Sequence, residues 1–278
     1  QIFQNIYGDA MYGNVILTDA REVFSNFSFC GNEFISLKVD NPGLNRPYER
    51  TFRIYKITDR KPVSSSGQKA MLHFCSDELI SSNSIILSKA YKNTKVRDIA
   101  SDILTKELKV DKTRIVNLEE TQGNYDIIIP AMRPLEAISW IASRGYAPNK
   151  FCYMFFENKN GFNLVSLQTL MKQKPYKTIK YEVKKVDSDP SVNKDGMDNF
   201  DITNDFDALT TLSNGGYSGR LLTIDIFSQQ YGLVGYDINN AESKGALLNK
   251  YKPTNDVKNS RGESLLNSQG GYYRSYVQ

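Results

Sequence analysis

The sequence predicts an α+β, mainly β protein: two antiparallel β segments, residues 1–87 and 176–238, separated by an α/β insert over 88–175. Three observations carry this expectation. Aromatic residues make up 12% of the chain, with 17 Tyr and 14 Phe, and together with Val, Ile and Thr they suit a pleated, half-buried surface. Arg50–Asp59 sets Phe52, Ile54 and Tyr55 or Ile57 against Arg53, Lys56 and Thr58, the period-2 pattern of a strand with one wet face. Between Thr94 and Leu108 the period changes, and Val96, Ile99, Ala100, Ile103, Leu104 and Leu108 fall on one face of a helix.

In the first segment the expected strands are Met11–Thr18, Phe27–Phe29, Phe34–Val39, Thr51–Thr58 and Ala70–Cys75. Turns at Gly31-Asn32, Asn41-Pro42-Gly43 and Ser64–Gly67 separate them. Several short strands at such spacing imply a sandwich or barrel.

The insert opens with the Thr94–Leu108 helix, for which Asn93 or Thr94 is the expected cap. Ile127–Ile129 reads as a short strand closed by Pro130. Pro134 suits a first helical position, because its fixed φ is pre-organised and its missing N–H is not needed there. A helix from Leu135 to Arg144 would bury Leu135, Ile138, Trp140, Ile141 and Ala142 and stop at Gly145. With Trp140 inside that stripe, Trp140→Ala is expected to cost roughly 3–5 kcal/mol. Cys152–Phe156 and Phe162–Leu167 read as a hairpin turned at Asn160-Gly161.

Strands return at Thr178–Val186 and Leu221–Phe227, with an acidic, loop-like stretch between them. Residues 239–278 are rich in Ser, Asn and Gly and read as an irregular extension.

Composition excludes several classes. Apolar residues at 40% and charged residues at 24% exclude wholesale disorder. A net charge of +4 is too small to mark a nucleic-acid binder. The three cysteines, Cys30, Cys75 and Cys152, lack metal spacing and fit reduced thiols. No apolar run approaches the ~18 residues of a membrane span, and the opening residues lack the pattern of a secretory leader.

Chemistry is scarce. His73 lies two residues from Cys75 on an expected strand, but nothing nominates a third group to orient a base, so a packed strand histidine is expected. The acidic loop Asp187–Asp207 lacks the register of a calcium loop and reads as solvated. Basic residues gather at Arg46, Arg50, Arg53, Arg60 and Lys61 and again at Lys172, Lys174, Lys177, Lys180, Lys184 and Lys185. Interleaved Glu49, Asp59 and Glu182 favour solvated strand faces over nucleic-acid contact. No dinucleotide, P-loop, nucleophile-elbow, zinc-protease or CxxC motif occurs. No catalytic, cofactor-binding or metal-binding residue is nominated, and no enzyme is expected.

Ordered segments resemble a known family. Residues 29–39 (FCGNEFISLKV), 50–60 (RTFRIYKITDR) and 70–78 (AMLHFCSDE) look like the first tube-type β-domain of baseplate hub proteins. Those proteins belong to contractile-tailed bacteriophages of the T-even and cyanophage kind. Residues 87–108, 120–146 and 155–167 are similar to the α/β insert of the same proteins, and 219–238 (GRLLTIDIFSQQYGLVGYDI) to strands of their second β-domain.

The resemblance implies two tail-tube-like β-barrel domains, at 1–87 and 176–238, with the insert at 88–175 and the extension at 239–278 outside the pattern. It implies a homotrimeric, non-enzymatic structural ring in the virion baseplate, assembled in the host cytoplasm without membrane insertion or cofactor. The ring would adapt the hexameric tail tube to the central trimeric spike protein, meet tape-measure or baseplate wedge proteins, and pass DNA through its lumen during genome ejection. Two other readings stay open: the N-terminal hub part of a type VI or pyocin-like hub-spike protein, and a β-rich cell-wall glycosidase whose two carboxylates lie far apart in the chain.

Overall fold

Alternation of apolar and polar side chains over the first segment produces one antiparallel sheet. The computed structural model describes residues 1–21, 23–26, 28–39, 48–63, 67–148, 150, 152–175, 178–181, 196–197, 200–203, 207–214, 218–237, 259–262 and 275–277. The chain divides into two units, Gln1–Leu170 and Met171–Gln278.

The first unit begins with β1 (Ile2–Phe3), β2 (Tyr12–Asp19), β3 (Phe34–Val39), β4 (Tyr48–Pro62) and β5 (Gln68–Cys75). They pair antiparallel in the order β1-β2-β5-β4-β3. Among the described residues this sheet is open, with β1 and β3 at its edges, and no pairing closes it into a barrel.

The register puts Val15, Leu72, Phe74, Ile54, Phe52 and Ile35 on one face, where they form the sheet's core. Gly13 belongs to that face because a Cβ there would lie 2.5 Å from the Phe74 ring and 2.3 Å from the Gln1 carbonyl oxygen. Of the expected strand at Phe27–Phe29, Phe27 lies outside the described residues, and Ser28 and Phe29 have no regular structure. The Asp19 carboxylate turns the chain instead, accepting from the Arg21 and Phe24 amides, both at 2.9 Å. A short α1 (Val23–Asn26) follows, and Phe24 and Phe29 lie ring to ring against the sheet.

Residues 88–170 of the expected insert share the first unit with this sheet. α2 (Asp77–Ser84), a helix inside the span expected to be β, leads into β6 (Leu87–Thr94), α3 (Val96–Asp102), β7 (Ile115–Leu118), β8 (Tyr125–Met132), α4 (Pro134–Ala142), β9 (Tyr153–Asn158), β10 (Gly161–Ser166) and α5 (Leu167–Met171). β6 and β8 form an antiparallel ribbon. β10 pairs antiparallel with β9 and parallel with β7. Ile99, Ile103, Leu104, Ile129, Leu135, Ile138, Ile141, Phe162 and Leu164 are fully buried between these elements.

The expected hairpin at Asn160-Gly161 forms, and only glycine suits position 161. Its φ is +138°, and a Cβ would lie 2.0 Å from the Arg114 carbonyl oxygen.

Three expectations in the insert change. The Thr94–Leu108 helix starts at Val96, with Lys95 at the N-cap and no side-chain cap bond. Asn93 and Thr94 end β6 instead. Asn93 has φ +52° and its amide donates to Asp126 Oδ1 at 2.7 Å, while Thr94 Oγ1 donates to the Lys92 carbonyl. The same helix continues from α3 as a π-helical turn, Ile103–Glu107, where the Leu108 amide bonds the Ile103 carbonyl.

Pro130 does not end its strand. β8 runs to Met132 through a register shift at which Ala131 has φ +43°, a bulge where the ladder does not need the proline's missing donor. Trp140 is half-buried rather than inside the stripe, and its ring carries the Arg144 guanidinium 3.9 Å from its centroid.

One charge cluster pins the π-helical turn to the ribbon. Asp102 accepts from Lys89 Nζ at 2.6 Å, Lys106 Nζ at 2.6 Å and Tyr91 Oη at 2.8 Å. Burial alone would raise this carboxyl, but the bonds from Lys106, Lys89 and Tyr91 outweigh it and hold the pKa at about 2. Because the folded pKa lies below the unfolded value near 3.8, the unfolded chain binds the proton first. The stabilisation is therefore present above about pH 4 and lost as pH falls through about 2. Thermal midpoints measured from about pH 6 downward should fall less steeply between about pH 4 and 2 for Asp102→Asn than for the wild type.

The second unit contains β11 (Lys180–Tyr181) paired parallel with β12 (Gly196–Met197), then α6 (Ala208–Ser213), β13 (Ser218–Asp225), β14 (Gln230–Asp237) and β15 (Ser275–Val277). Of the expected Thr178–Val186 strand, Lys180 and Tyr181 are in a strand, while 182–186 lie outside the described residues. The expected strand at Leu221–Phe227 ends at Asp225. Its carboxylate accepts from the Phe227 amide at 2.9 Å and from Ser228 Oγ at 2.6 Å and so starts a turn.

β13 and β14 form an eight-residue antiparallel hairpin. β15 lies parallel to β13 on its other side. Part of the extension read as irregular is therefore a strand. The structure is thus mainly β, with antiparallel sheets in both units.

Candidate assembly surface

The least expected feature is a charge cluster inside the first unit. Glu157, on β9, is buried and accepts from the Met11 amide at 2.8 Å, Ser76 Oγ at 2.5 Å, Arg114 Nη2 at 2.6 Å and Arg50 Nη2. Arg114 also pairs with Glu78. Arg50 reaches Ser76 Oγ at 3.2 Å and lies over the Phe52 ring, 5.1 Å from its centroid.

These groups come from different elements. Arg50 is on β4, Met11 and Ser76 flank β2 and β5, Glu78 is on α2, Arg114 precedes β7 and Glu157 is on β9. Arg50 faces inward because it shares the face of Phe52 and Leu37. The cluster joins the first sheet to the insert, and its two guanidiniums balance its two carboxylates.

Such an arrangement holds separate elements together. A second buried carboxylate, Glu119, is held in the same way by Lys150 Nζ at 2.5 Å, the Ser166 amide at 2.7 Å and Thr169 Oγ1 at 2.7 Å. Burial opposes its ionisation, but these donors prevail and hold its pKa below the usual carboxylate range.

The sequence-level candidates disperse. His73 is half-buried and shares a 2.8 Å hydrogen bond with Thr58 Oγ1 across the β4–β5 pair. The Cys75 thiol is buried, which pushes its pKa up to about 11 and leaves it a poor nucleophile. Of the acidic loop, 187–195, 198–199 and 204–206 lie outside the described residues. Among the described residues, no three His, Cys, Asp or Glu side chains gather as a metal site. No described helix is long and apolar enough to cross a membrane.

The first basic group separates. Arg50 is in the buried cluster, Arg53 pairs with Asp77 at 3.0 Å, and Arg60 lies 5.9 Å from the Phe24 centroid. Arg46, Lys177, Lys184 and Lys185 lie outside the described residues, while Lys172 and Lys174 are exposed.

Large apolar side chains are exposed as well. On the sheet face opposite the core, Phe3 and Tyr12 stack at 5.3 Å. Ile16, Phe34 and Tyr55 are exposed on the same sheet. The register shift between Ile54 and Lys56 turns both Tyr55 and Lys56 to solvent. In the second unit, the β13–β14 hairpin exposes Ile224, Ile226, Phe227, Tyr231, Leu233 and Val234, with Phe227 101% and Ile226 83% exposed. Contiguous apolar exposure beyond a few hundred Å² marks an interaction surface on a soluble protein. Composition hinted at this through the aromatic content, but the faces depend on register, which sequence alone leaves open.

No family profile matches the chain. No curated protein matches it by sequence. Among solved structures, it is similar to the tail protein from Neisseria meningitidis (TM-score 0.45, 11% identity, 99% of this chain and 65% of that one). It is also similar to the 43 kDa tail protein of prophage MuSo2 from Shewanella oneidensis (TM-score 0.37, 11% identity, 59% of this chain and 48% of that one). A third similarity is to an E. coli component of the type VI secretion system, itself described as structurally similar to T4 bacteriophage tail proteins (TM-score 0.39, 10% identity, 56% of this chain and 42% of that one). The chain spans 65%, 48% and 42% of these structures' own lengths.

Proposed function

We propose that this chain is a structural protein of a contractile phage tail: a homotrimeric baseplate hub ring that adapts the hexameric tube to the central spike. The observation that carries the reading is the ordered set of hub-like segments at 29–78, 87–167 and 219–238. Within the first unit, the first two sets form an antiparallel sheet and an α/β insert tied together by the Glu157 cluster.

The exposed apolar surface supports the same reading. Obligate interfaces bury on the order of 2,000 Å² or more and are rich in Tyr and Phe, and such surface is present on both β units. The function is non-catalytic in this reading. Two buried glutamates, Glu157 and Glu119, are each held by several donors. The finer architecture, two tube-like barrels per subunit around a lumen that passes DNA, belongs to the same proposal, with barrel closure supplied in the assembled ring.

Light scattering on the purified chain at micromolar concentration tests it. A stable trimer that binds a trimeric spike protein is the expected result. A stable monomer that binds no spike protein would overturn the reading.

A further inference from the structure

We infer that the outer face of the first sheet, opposite its core, binds single-stranded nucleic acid through both phosphates and bases. This goes beyond the hub reading and does not depend on it. Register sorts the charges in a way that spacing along the chain does not. Lys61 stands directly opposite Lys69, and Lys56 directly opposite His73. All four side chains therefore lie on the outer face, and the three lysines are exposed.

Like charges directly opposite one another destabilise a sheet. Among the described residues no carboxylate pairs with Lys56, Lys61 or Lys69. The other cations of this face are already matched: Arg53 pairs with Asp77, and Lys38 stands opposite Glu49. Asp59, in the bulge between Thr58 and Lys61, leaves the three lysines with a surplus of positive charge. His73 and Lys69 are four residues apart on β5, so the two basic rows are separated by about 13 Å. An extended polyanion spans that distance, whereas a single compact anion does not.

Flat rings lie between and beside these rows. Tyr12, Cys75, Arg53 and Phe34 form one row across the sheet. The Tyr12 ring stacks on Phe3 at 5.3 Å, and the Arg53 guanidinium lies 5.4 Å from the Phe34 centroid. Tyr55 stands beside His73, with ring centroids 6.2 Å apart. Tyr12, Phe34 and Tyr55 are exposed. Aromatic rings interleaved with cations on a sheet offer stacking to bases and charge to the backbone that joins them. A nucleic-acid strand carries a flat ring with every phosphate. A duplex hides those rings in its own stack, and an acidic polypeptide has none tied to its carboxylates.

Fluorescence anisotropy of a labelled oligothymidylate of about 12 nucleotides tests this on the full chain. Saturable binding is expected, and with three lysines engaged the slope of log affinity against log salt should be about −2. Lys61→Glu combined with Lys69→Glu should weaken binding at least tenfold, and Tyr55→Ala about fivefold or more. Lys172→Glu, at an exposed lysine of the second unit, should change it less than twofold. These side chains are exposed, so the far-ultraviolet circular dichroism should stay unchanged. No binding at low salt, no loss from Tyr55→Ala, or an equal loss from Lys172→Glu overturns the inference. So does a duplex of the same length, or polyglutamate, that binds as tightly as the single strand. The first would mark a plain phosphate-binding surface, the second a docking face for an acidic protein.

Discussion

Glu157→Ala is expected to destabilise the first unit by about 3–5 kcal/mol, because removing one member of a buried ion cluster leaves the others charged and uncompensated. The Glu157 side chain is 0% exposed and that of Arg50 11%. Both guanidiniums would lose their carboxylate together, and the Met11 amide and Ser76 hydroxyl would lose an acceptor. Glu157→Gln should recover only part of the loss, since it restores an acceptor but not the charge. Urea unfolding measures both. A Glu157→Ala midpoint equal to wild type would mean that the cluster does not join the sheet to the insert. A full replacement should differ in size: exchanging Arg50, Arg114, Glu78 and Glu157 together for well-packed apolar residues should cost far less than the single change.

The second large effect concerns α4. Ile138 is fully buried in the insert's core, so Ile138→Ala should cost about 2–5 kcal/mol through lost transfer energy and the cavity left behind. Trp140 should behave differently. Its half-buried ring covers the rim of that core and supports the Arg144 guanidinium, so Trp140→Ala should cost only ~1–2 kcal/mol. That replaces the larger cost expected when the tryptophan was placed inside the stripe. Thermal unfolding of the two variants gives the order directly, and a Trp140→Ala loss exceeding that of Ile138→Ala would contradict this packing.

The contrast between those neighbours shows what local pattern conveys. Helical spacing identified α4 and its proline start, but both Ile138 and Trp140 fall within the apolar stripe, and the neighbouring elements decide which is enclosed. Strands with one wet face were similarly plain. Phe34–Val39 has the expected bounds, and the Asn160-Gly161 turn stands where its glycine is required.

β6 was hidden because its polar sequence, LSKAYKNT, fully buries only Leu87, too little for alternation to register. β15 was hidden because the partner of Ser275–Val277 lies far back in the chain, at Arg220–Leu222. The cluster at Glu157 was hidden for the same reason. Arg50 sits in a basic run and looked solvent-facing until the β3–β4 register turned it inward, toward a carboxylate 107 positions away. Sequence spacing reports local contacts well, whereas a buried charge is explained only by partners that folding brings to it.

The outer sheet face and the second-unit hairpin follow the same logic. Apolar side chains on the wet side of a strand disturb a simple inside-outside reading, and here they are exposed in each unit. Their cost to solubility is understandable if association covers them. The most direct test is single-particle imaging of the full chain at micromolar concentration. The account predicts closed rings with threefold rotational symmetry and a central channel. Isolated monomers with no symmetric assembly, alone or with a spike protein present, would contradict it.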